Sequence, residues 1–70
     1  MAIYYVSKDN RGEWRWEFLA ENNKTIAVSS EGYKNKADCL HSIKLMKEIG
    51  STADAFDGTT NPPQIIKTLP

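Results

Sequence analysis

The sequence predicts an α+β fold: an antiparallel three-stranded meander, one helix and a short C-terminal strand, in the order β-β-β-α-β. Two observations support this prediction: a segment in which aromatic and charged residues alternate, and a later segment in which apolar residues recur at helical spacing. The first reads Trp-Arg-Trp-Glu-Phe at positions 14–18. Because successive side chains of a strand point to opposite faces, its three aromatic rings share one face, while Arg15 and Glu17 share the other.

The first three strands follow from residue type and from the connections between them. Ile3–Lys8 is rich in β-branched and aromatic residues, and the turn formers at 9–12 end it. The alternating strand spans 13–20, and the asparagines within 21–24 tolerate the left-handed backbone of a tight connection. A third strand spans 25–29. Connections this short cannot make a parallel crossover, so the strands form an antiparallel meander.

A helix is predicted at Lys36–Ile49, after residues 30–34 carry the chain off the sheet. Asn35 suits the N-cap position, and Gly50 suits a left-handed C-terminal cap. At about 100° per residue, the apolar side chains cover well over half of the circumference; they are Cys39, Leu40, Ile43, Leu45, Met46 and Ile49. One small sheet hardly covers so wide an arc, so we expect the helix to contact something beyond its own three strands.

The end of the chain is predicted to form a short strand and then a tail. Residues 53–57 alternate in polarity, which favours a brief fourth strand. Pro62 and Pro63 interrupt regular structure, and 64–70 is typical of an extended tail with apolar residues available to pack. We therefore divide the chain into one β-β-β-α-β unit at residues 1–58 and a proline-containing tail at 59–70.

The size of the chain favours association as a source of stability. Seventy residues form one domain at most, and so small a domain buries only about 60% of the surface of its unfolded chain. The single Cys39 excludes an intramolecular disulfide and offers too few ligands for structural zinc. A partner chain is the remaining usual support.

Composition also bears on location and ligand class. The first residues lack the charged and apolar regions of a signal peptide, and one cysteine fits a reducing compartment, so we expect a cytoplasmic protein. No apolar run approaches the ~20 residues that span a bilayer, so no membrane association is expected. Nine basic and nine acidic side chains give zero formal charge, so no overall field favours a polyanionic partner. The sequence shows no catalytic or metal-binding constellation, and no cofactor is expected.

Several short motifs resemble the YegP-like family in order and spacing. The most specific are the Trp-Arg-Trp strand at 14–16, the Glu-Gly-Tyr segment at 31–33 and the Lys-Ala helix start at 36–37. The resemblance spans about residues 4–57 and also includes Lys8-Asp9, Gly12, Ala20, Asn22, Ile26-Ala27, Ser29 and Ile43. The chain departs from the pattern at Ser7, where family members often have tyrosine, and at His41-Ser42, where they often have Asn-Gly.

The resemblance implies a fold and an assembly but no activity, because the activity of the family is not established. Its members carry tandem copies of a β-β-β-α-β unit, or one copy that pairs with a second chain to form a single sheet with exchanged C-terminal strands. This chain has one copy. The resemblance therefore implies a homodimer in which the strand at 53–57 joins the sheet of the partner.

The residues expected to form the core lie on the aromatic face of the sheet and on the apolar side of the helix. They are Tyr4, Val6, Trp14, Trp16, Phe18, Ile26, Leu40, Ile43 and Met46. The two tryptophans could instead form a stacking platform for nucleic-acid bases. Core packing is the favoured interpretation, since large aromatic side chains supply much of the buried area of so small a domain.

A second candidate surface is a basic and aromatic patch on the opposite face of the sheet. Tyr5, Lys8, Arg11 and Arg15 are its expected members. Neighbouring glutamates dilute its charge, and the neutral chain gives no reason to expect phosphate binding. A mixed, solvated face is therefore the favoured interpretation of this patch.

The exposed loop after the third strand carries the remaining candidates. Glu31 and Tyr33 flank Gly32 and are suited to a specific role there. A structural role is favoured, because Gly32 permits a backbone turn that other residues cannot adopt and the ring of Tyr33 can pack on the core. His41 is expected to be solvated, and Cys39 to behave as a small apolar side chain.

We therefore predict a small, non-enzymatic homodimer that serves as an interaction or binding module for a partner that the sequence does not identify. One alternative is a nucleic-acid-binding module that uses the basic Lys8, Arg11 and Arg15 side chains of the patch. Another is a small-molecule site at the subunit junction, near Glu31, Tyr33 and His41.

Overall fold

The structure, a computed structural model, describes residues 1–69 and contains five strands and one helix. In chain order they are β1 (Ile3–Lys8), β2 (Trp14–Leu19), β3 (Thr25–Val28), α1 (Lys36–Ile49), β4 (Ala55–Asp57) and β5 (Gln64–Ile66). The first three strands form an antiparallel sheet in the order β1-β2-β3, and β4 and β5 form a separate two-stranded hairpin. The predicted α+β fold, with a meander, one helix and a short C-terminal strand, is confirmed.

The aromatic face of the sheet is covered by α1, which packs on the central strand β2. Register sets this face, because Tyr4 lies opposite Phe18 and Val6 lies opposite Trp16. The Tyr4 ring meets the Trp16 ring edge-on at a centroid distance of 5.4 Å and lies 4.7 Å from the Phe18 ring. Trp16 is 7% exposed and is the most deeply buried aromatic side chain of the described residues. The alternation of β1 and β2 therefore predicts the correct inner face.

The prediction that Ile26 lies in the core is wrong. Phe18 pairs with Ala27, and an irregularity between Phe18 and Leu19 brings Leu19 opposite Thr25. Ile26 is consequently the extra residue of the strand and lies 62% exposed, while Ala27 takes the inner position. With Ala27 opposite Phe18, alternation along β3 places Ile26 with Val28 on the face away from the helix, so the larger apolar side chain is not the inner one.

The helix exposes most of its apolar arc in the single chain. Cys39 is fully buried and Ile43 is half-buried, because these two face the sheet. The predicted core residues Leu40 and Met46 are exposed, contrary to their assignment, as are Leu45 and Ile49. The physical reason is the small width of the sheet, which covers only the middle of the arc.

The two turns of the meander are formed by local side chains and by left-handed residues. The Asp9 carboxylate accepts hydrogen bonds from the backbone N–H groups of Arg11 and Glu13, at 2.9 and 3.0 Å. Gly12 has φ 77° and Asn23 has φ 63°. Glycine and asparagine adopt this region at low cost, so both turns form where the sequence predicts them.

The helix has its predicted limits and its predicted N-cap residue, but not the predicted left-handed geometry at its C-terminal end. Asn35 occupies the N-cap position, yet its side chain donates to the Asp38 carboxylate at 3.4 Å rather than capping a backbone N–H. Gly50 has φ −62° and ψ −36°, so the prediction of a left-handed cap is wrong. Its N–H donates to the Met46 carbonyl at 3.1 Å, and a further turn through Thr52 follows, so no left-handed residue is needed.

The residues predicted as a tail form the second strand of the hairpin. Phe56 lies opposite Ile65, and Asp57 lies opposite Gln64. The predicted boundary at residue 58 thus falls in the connection between β4 and β5. Within the described residues, the hairpin makes no extensive contact with the sheet or with α1, and Phe56 is 59% exposed. The hairpin is therefore an exposed arm on a molecule of 40 × 28 × 21 Å. No helix of residues 1–69 has the length and apolar composition that crossing a bilayer requires.

Candidate functional site

An apolar groove of about 660 Å³ lies beside the C-terminal half of α1. Its apolar walls are Trp16, Tyr33, Leu45, Met46, Ile49 and Ala53. The hydroxyl-bearing residues Ser30, Ser42 and Thr52 complete the lining, together with Gly50. The part of the helical arc that the sheet leaves uncovered therefore forms one wall of this groove. Its size is in the range of sites that bind ligands or several side chains.

The polar groups at the floor of the groove are engaged in hydrogen bonds with one another. The Trp16 indole N–H donates to Ser42 Oγ at 2.9 Å, and Ser42 Oγ donates to the Cys39 carbonyl at 2.6 Å. Burial raises the pKa of the Cys39 thiol, which keeps the sulfur protonated and weakly nucleophilic. The serine hydroxyl and the thiol are thus both structural groups in this arrangement.

Ser29 is a structural residue of the site that sequence reasoning missed. It is buried, and its N–H donates to the Trp16 carbonyl at 2.9 Å. Its Oγ accepts from the Trp16 N–H at 3.3 Å and donates to the Glu31 carbonyl at 3.1 Å. Ser29 therefore fixes the point where the chain leaves β3. Its sequence signals are a small polar residue at a predicted strand end and its place among the positions of the family resemblance.

The Glu31-Gly32-Tyr33 segment contributes Tyr33 to the groove. The backbone of Tyr33 pairs with that of Trp14. The Trp14 N–H donates to the Tyr33 carbonyl at 2.7 Å, and the Tyr33 N–H donates to the Trp14 carbonyl at 2.8 Å. Gly32 lies so close to the Glu13 side chain that an added Cβ would collide with it. Close approach, rather than a left-handed backbone, is what requires glycine at this position.

The structure does not bring the residues of the small-molecule hypothesis together. Tyr33 lines the groove, whereas Glu31 and His41 are exposed and do not line it. Of these three residues, only Tyr33 therefore contributes to the groove of the single chain.

The predicted basic and aromatic patch is divided between the two faces of the sheet. Lys8 lies opposite Trp14 on the helix side, with its Nζ 4.9 Å from the centroid of the indole ring. Arg15 lies on the other face, where its Nε bonds the Asp9 carboxylate at 2.7 Å. Arg11 is exposed in the first turn. Alternation along β1 places Lys8 on the same face as Val6. The prediction that grouped Lys8 with Arg15 because both are basic is therefore wrong.

The open face of the sheet is apolar as well as aromatic. Tyr5 is exposed there, with Ile3, Ile26 and Val28. Glu17 accepts a hydrogen bond from the Thr25 hydroxyl, and Arg15 is paired with Asp9. The charges of this face are thus largely satisfied within the chain, which argues against a phosphate-binding strip.

The Asp9–Arg15 pair predicts an acid-side effect on stability. The hydrogen bond from Arg15 is the main cause that lowers the pKa of Asp9, and the backbone N–H groups of Glu13 and Arg11 lower it further. A lowered pKa in the folded state stabilises the fold above the ordinary pKa, and this contribution is lost as the pH falls through the lower value. We expect Asp9→Asn to have a shallower fall in Tm between about pH 5 and pH 2 than the native chain.

Thermal melts across this pH range check the expectation. Asp54→Asn is a matched control, because it removes an exposed carboxylate that makes no hydrogen bond among the described residues. Parallel pH profiles for the native chain and Asp9→Asn would contradict the role assigned to the Arg15 pair.

The architecture defines the chain as a small α+β protein built from one β-β-β-α-β unit, with an added strand that pairs with its fourth strand. Residues 9–57 match the model of a domain of unknown function, DUF1508. The chain belongs to this family, which is the YegP-like family that the sequence motifs resemble. β5 lies beyond the matched residues.

Several curated proteins similar to the chain are UPF0339 proteins. It is 42% identical over 60 residues to a UPF0339 protein of Agrobacterium fabrum, with 86% of this chain and 95% of that protein covered. A UPF0339 protein of Neisseria meningitidis is 41% identical over 44 residues, covering 63% of this chain and 77% of the relative. A UPF0339 protein of Stutzerimonas stutzeri is 34% identical over 47 residues, which are 67% of this chain but only 41% of that protein.

A solved structure supports the fold independently of these names. The NMR solution structure of a protein from Haloferax volcanii has a TM-score of 0.74 and 28% sequence identity to this chain. The match covers 80% of this chain and 93% of that one.

Proposed function

We propose that the protein is a small, non-enzymatic homodimeric interaction module, in which the β4–β5 hairpin of each copy occupies the groove of the other. One observation carries the proposal: the same chain exposes an apolar groove and an apolar arm that makes no extensive contact with the rest of the described chain. In a two-fold symmetric dimer, the arm of each copy fills the groove of the other, so both apolar surfaces are buried by the same association.

The chemistry of the two surfaces is complementary. The arm exposes Phe56, Ile65 and Ile66, and the groove exposes Leu45 and Ile49. Burying a large apolar side chain contributes about 1.5–3 kcal/mol, so the exchange stabilises both copies by several such increments. Contiguous apolar surface of this kind is uncommon on proteins that remain monomeric.

Backbone pairing supports the same arrangement. Among residues 1–69, β3 pairs only with β2, so its outer edge presents free N–H and C=O groups. An arriving β4 can pair with such an edge, which gives the single sheet with exchanged strands that the family resemblance implies. The Stutzerimonas relative is more than twice as long as its matched segment, which leaves length for a second unit in one chain.

The composition of the groove favours binding over catalysis. Its polar lining consists of hydroxyl groups and backbone, with no carboxylate, imidazole or amine among the described lining residues. Ser42 is held by Trp16 and Cys39. The single free thiol of Cys39 supports a cytoplasmic setting, because such proteins keep their cysteines reduced.

Sedimentation equilibrium of the full chain tests the dimer. At micromolar concentration we expect a mass twice that of the 7.9 kDa chain, because the groove and the arm are filled only on association. A compact, thermally stable species of single-chain mass at these concentrations would overturn the proposal.

A further inference from the structure

The connection between α1 and β4, residues 50–54, is folded into turns and is called the hinge segment below. The Thr52 N–H donates to the Ile49 carbonyl at 3.2 Å, and the Thr52 hydroxyl donates to the same carbonyl at 3.1 Å. The Ala53 N–H donates to the Gly50 carbonyl at 3.4 Å. The hinge segment therefore prolongs the end of the helix with further turns instead of running out as an extended chain.

These turns place the base of the β4–β5 arm at the edge of the groove. Thr52 and Ala53 line the groove, whereas no residue of the arm lines it. β4 begins at Ala55, so Asp54 alone separates the groove wall from the arm. Within residues 1–69, the arm makes no extensive contact with α1 or with the sheet. The arm thus begins beside its own groove and extends away from it.

The turns, rather than the number of residues, limit where the arm can lie. Five residues span about 17 Å when extended, but only about 8 Å at the rise of a helix. To enter the groove of its own chain, the arm would have to reverse its direction within this short connection. Such a reversal requires breaking the hydrogen bonds of Thr52 and Ala53, which hold the hinge segment in its short form.

We propose that the hinge segment prevents the arm from filling the groove of its own chain, so that the groove accepts only the arm of a second copy. This inference rests on the proposed homodimer and assigns the choice between exchange and closure to one element. The same apolar contacts form in either arrangement, since every copy carries the same arm and the same groove. The connection between them therefore decides which arrangement forms.

The concentration at which the homodimer is expected makes such a restraint necessary. An arm on a short flexible connection meets its own groove at an effective concentration in the millimolar range. A second copy at micromolar concentration is roughly 1,000 times more dilute, so an unrestrained arm would close on its own chain. Association at micromolar concentration therefore requires that closure be opposed, and the turns at Thr52 and Ala53 oppose it.

Lengthening the hinge segment in the full chain tests the proposal. Six residues of alternating glycine and serine, inserted between Ser51 and Thr52, separate both backbone donors of the turns from their acceptors. We expect this insertion variant to have single-chain mass at micromolar concentrations where the native chain is a dimer, as measured by sedimentation equilibrium. The same six residues placed before the exposed Met1 are the matched control, and this extended chain is expected to remain a dimer.

Isotope-filtered NMR distinguishes a closed chain from one that has merely lost its partner. In a mixture of ¹³C-labelled and unlabelled native chains, we expect contacts between the Phe56 ring and the methyl groups of Leu45 or Ile49 to join different chains. In the insertion variant, the same contacts are expected only within one chain. Phe56→Glu in the insertion variant should then lower Tm, because the arm that it alters is bound in the groove.

The outcomes separate the hinge from the homodimer. A native chain of single-chain mass would overturn both proposals. A native dimer whose insertion variant is also a dimer would overturn the hinge and leave the exchange in place. A single-chain insertion variant without contacts between Phe56 and the groove would overturn the hinge as well. So would a loss of folding, by far-UV circular dichroism, both in this variant and in one with only three inserted residues.

Discussion

Trp16→Ala is expected to unfold the protein at ordinary temperatures. The ring of Trp16 is the centre of the small core: it meets Tyr4 edge-on, and its N–H donates to Ser42 on the helix. Truncating a buried tryptophan typically costs about 3–5 kcal/mol. A domain of this size has a total stability of about 4–10 kcal/mol, so the loss is comparable to the whole.

Arg15→Ala is the matched control for this prediction. It changes the next residue of the same strand, on the face away from the helix, where Arg15 makes a partly exposed ion pair. We expect only a small fall in Tm, because exposed ion pairs contribute little. Far-UV circular dichroism melts of both variants measure the difference. Similar melting of the two would mean that the inner and outer faces of β2 are assigned wrongly.

Single substitutions in the arm and in the groove are each expected to produce a monomer. Phe56→Glu places a charge on the exposed arm, and Ile49→Glu places one in the groove wall; both residues are 59% exposed, so neither change disturbs the single chain. Each removes an apolar contact worth about 1.5–3 kcal/mol, and a symmetric dimer loses it twice. The dissociation constant of the dimer should therefore rise at least about 100-fold.

Mixing the two variants distinguishes exchange from other modes of association. A mixed pair contains one intact arm, from the Ile49→Glu chain, and one intact groove, from the Phe56→Glu chain. We expect the equimolar mixture to associate more strongly than either variant alone, as measured by sedimentation equilibrium. Lys24→Glu, a charge change outside both surfaces, should leave the dimer unchanged. A mixture no stronger than its components would contradict exchange between arm and groove.

Sequence patterns predict the elements of this fold where local physics decides them. Alternation at Trp14 and Trp16 gives the face that α1 covers, and the limits of α1 follow from its apolar spacing. The left-handed backbone of Asn23 is also predicted, because asparagine adopts it readily. In each case a residue's own preference and its immediate neighbours determine the outcome.

Other features depend on contacts that a pattern does not contain. Ala27 rather than the larger Ile26 lies opposite Phe18, and residue type within β3 does not determine which of the two faces inward. β5 forms because Ile65 pairs with Phe56 across a proline-containing connection. The prolines themselves predict the end of regular structure, so the pairing is not visible in the local sequence. Gly32 is required by the side chain of Glu13 rather than by its own dihedral angles.

The candidate site shows the same division between local and non-local information. The broad apolar arc of α1 predicts uncovered surface, and the groove beside Ile49 is that surface. The approach of Lys8 and of Lys36 to the Trp14 ring brings a side chain of β1 and one of α1 to β2, so the sequence positions alone do not reveal it. The role of Ser29 likewise depends on the backbone of a neighbouring strand.

In the proposed dimer, the small number of residues buried within each chain makes the stability of the protein depend on its cellular abundance. Trp16, Cys39 and Ser29 are the buried residues of the described single chain, so the rest of its apolar surface is protected only by whatever binds it. When a fold is completed by a second copy, the folded fraction rises with the number of copies present. A cell that makes little of this protein would lose a larger share of it to proteases than a cell that makes much. Expression level and half-life are in this way set together.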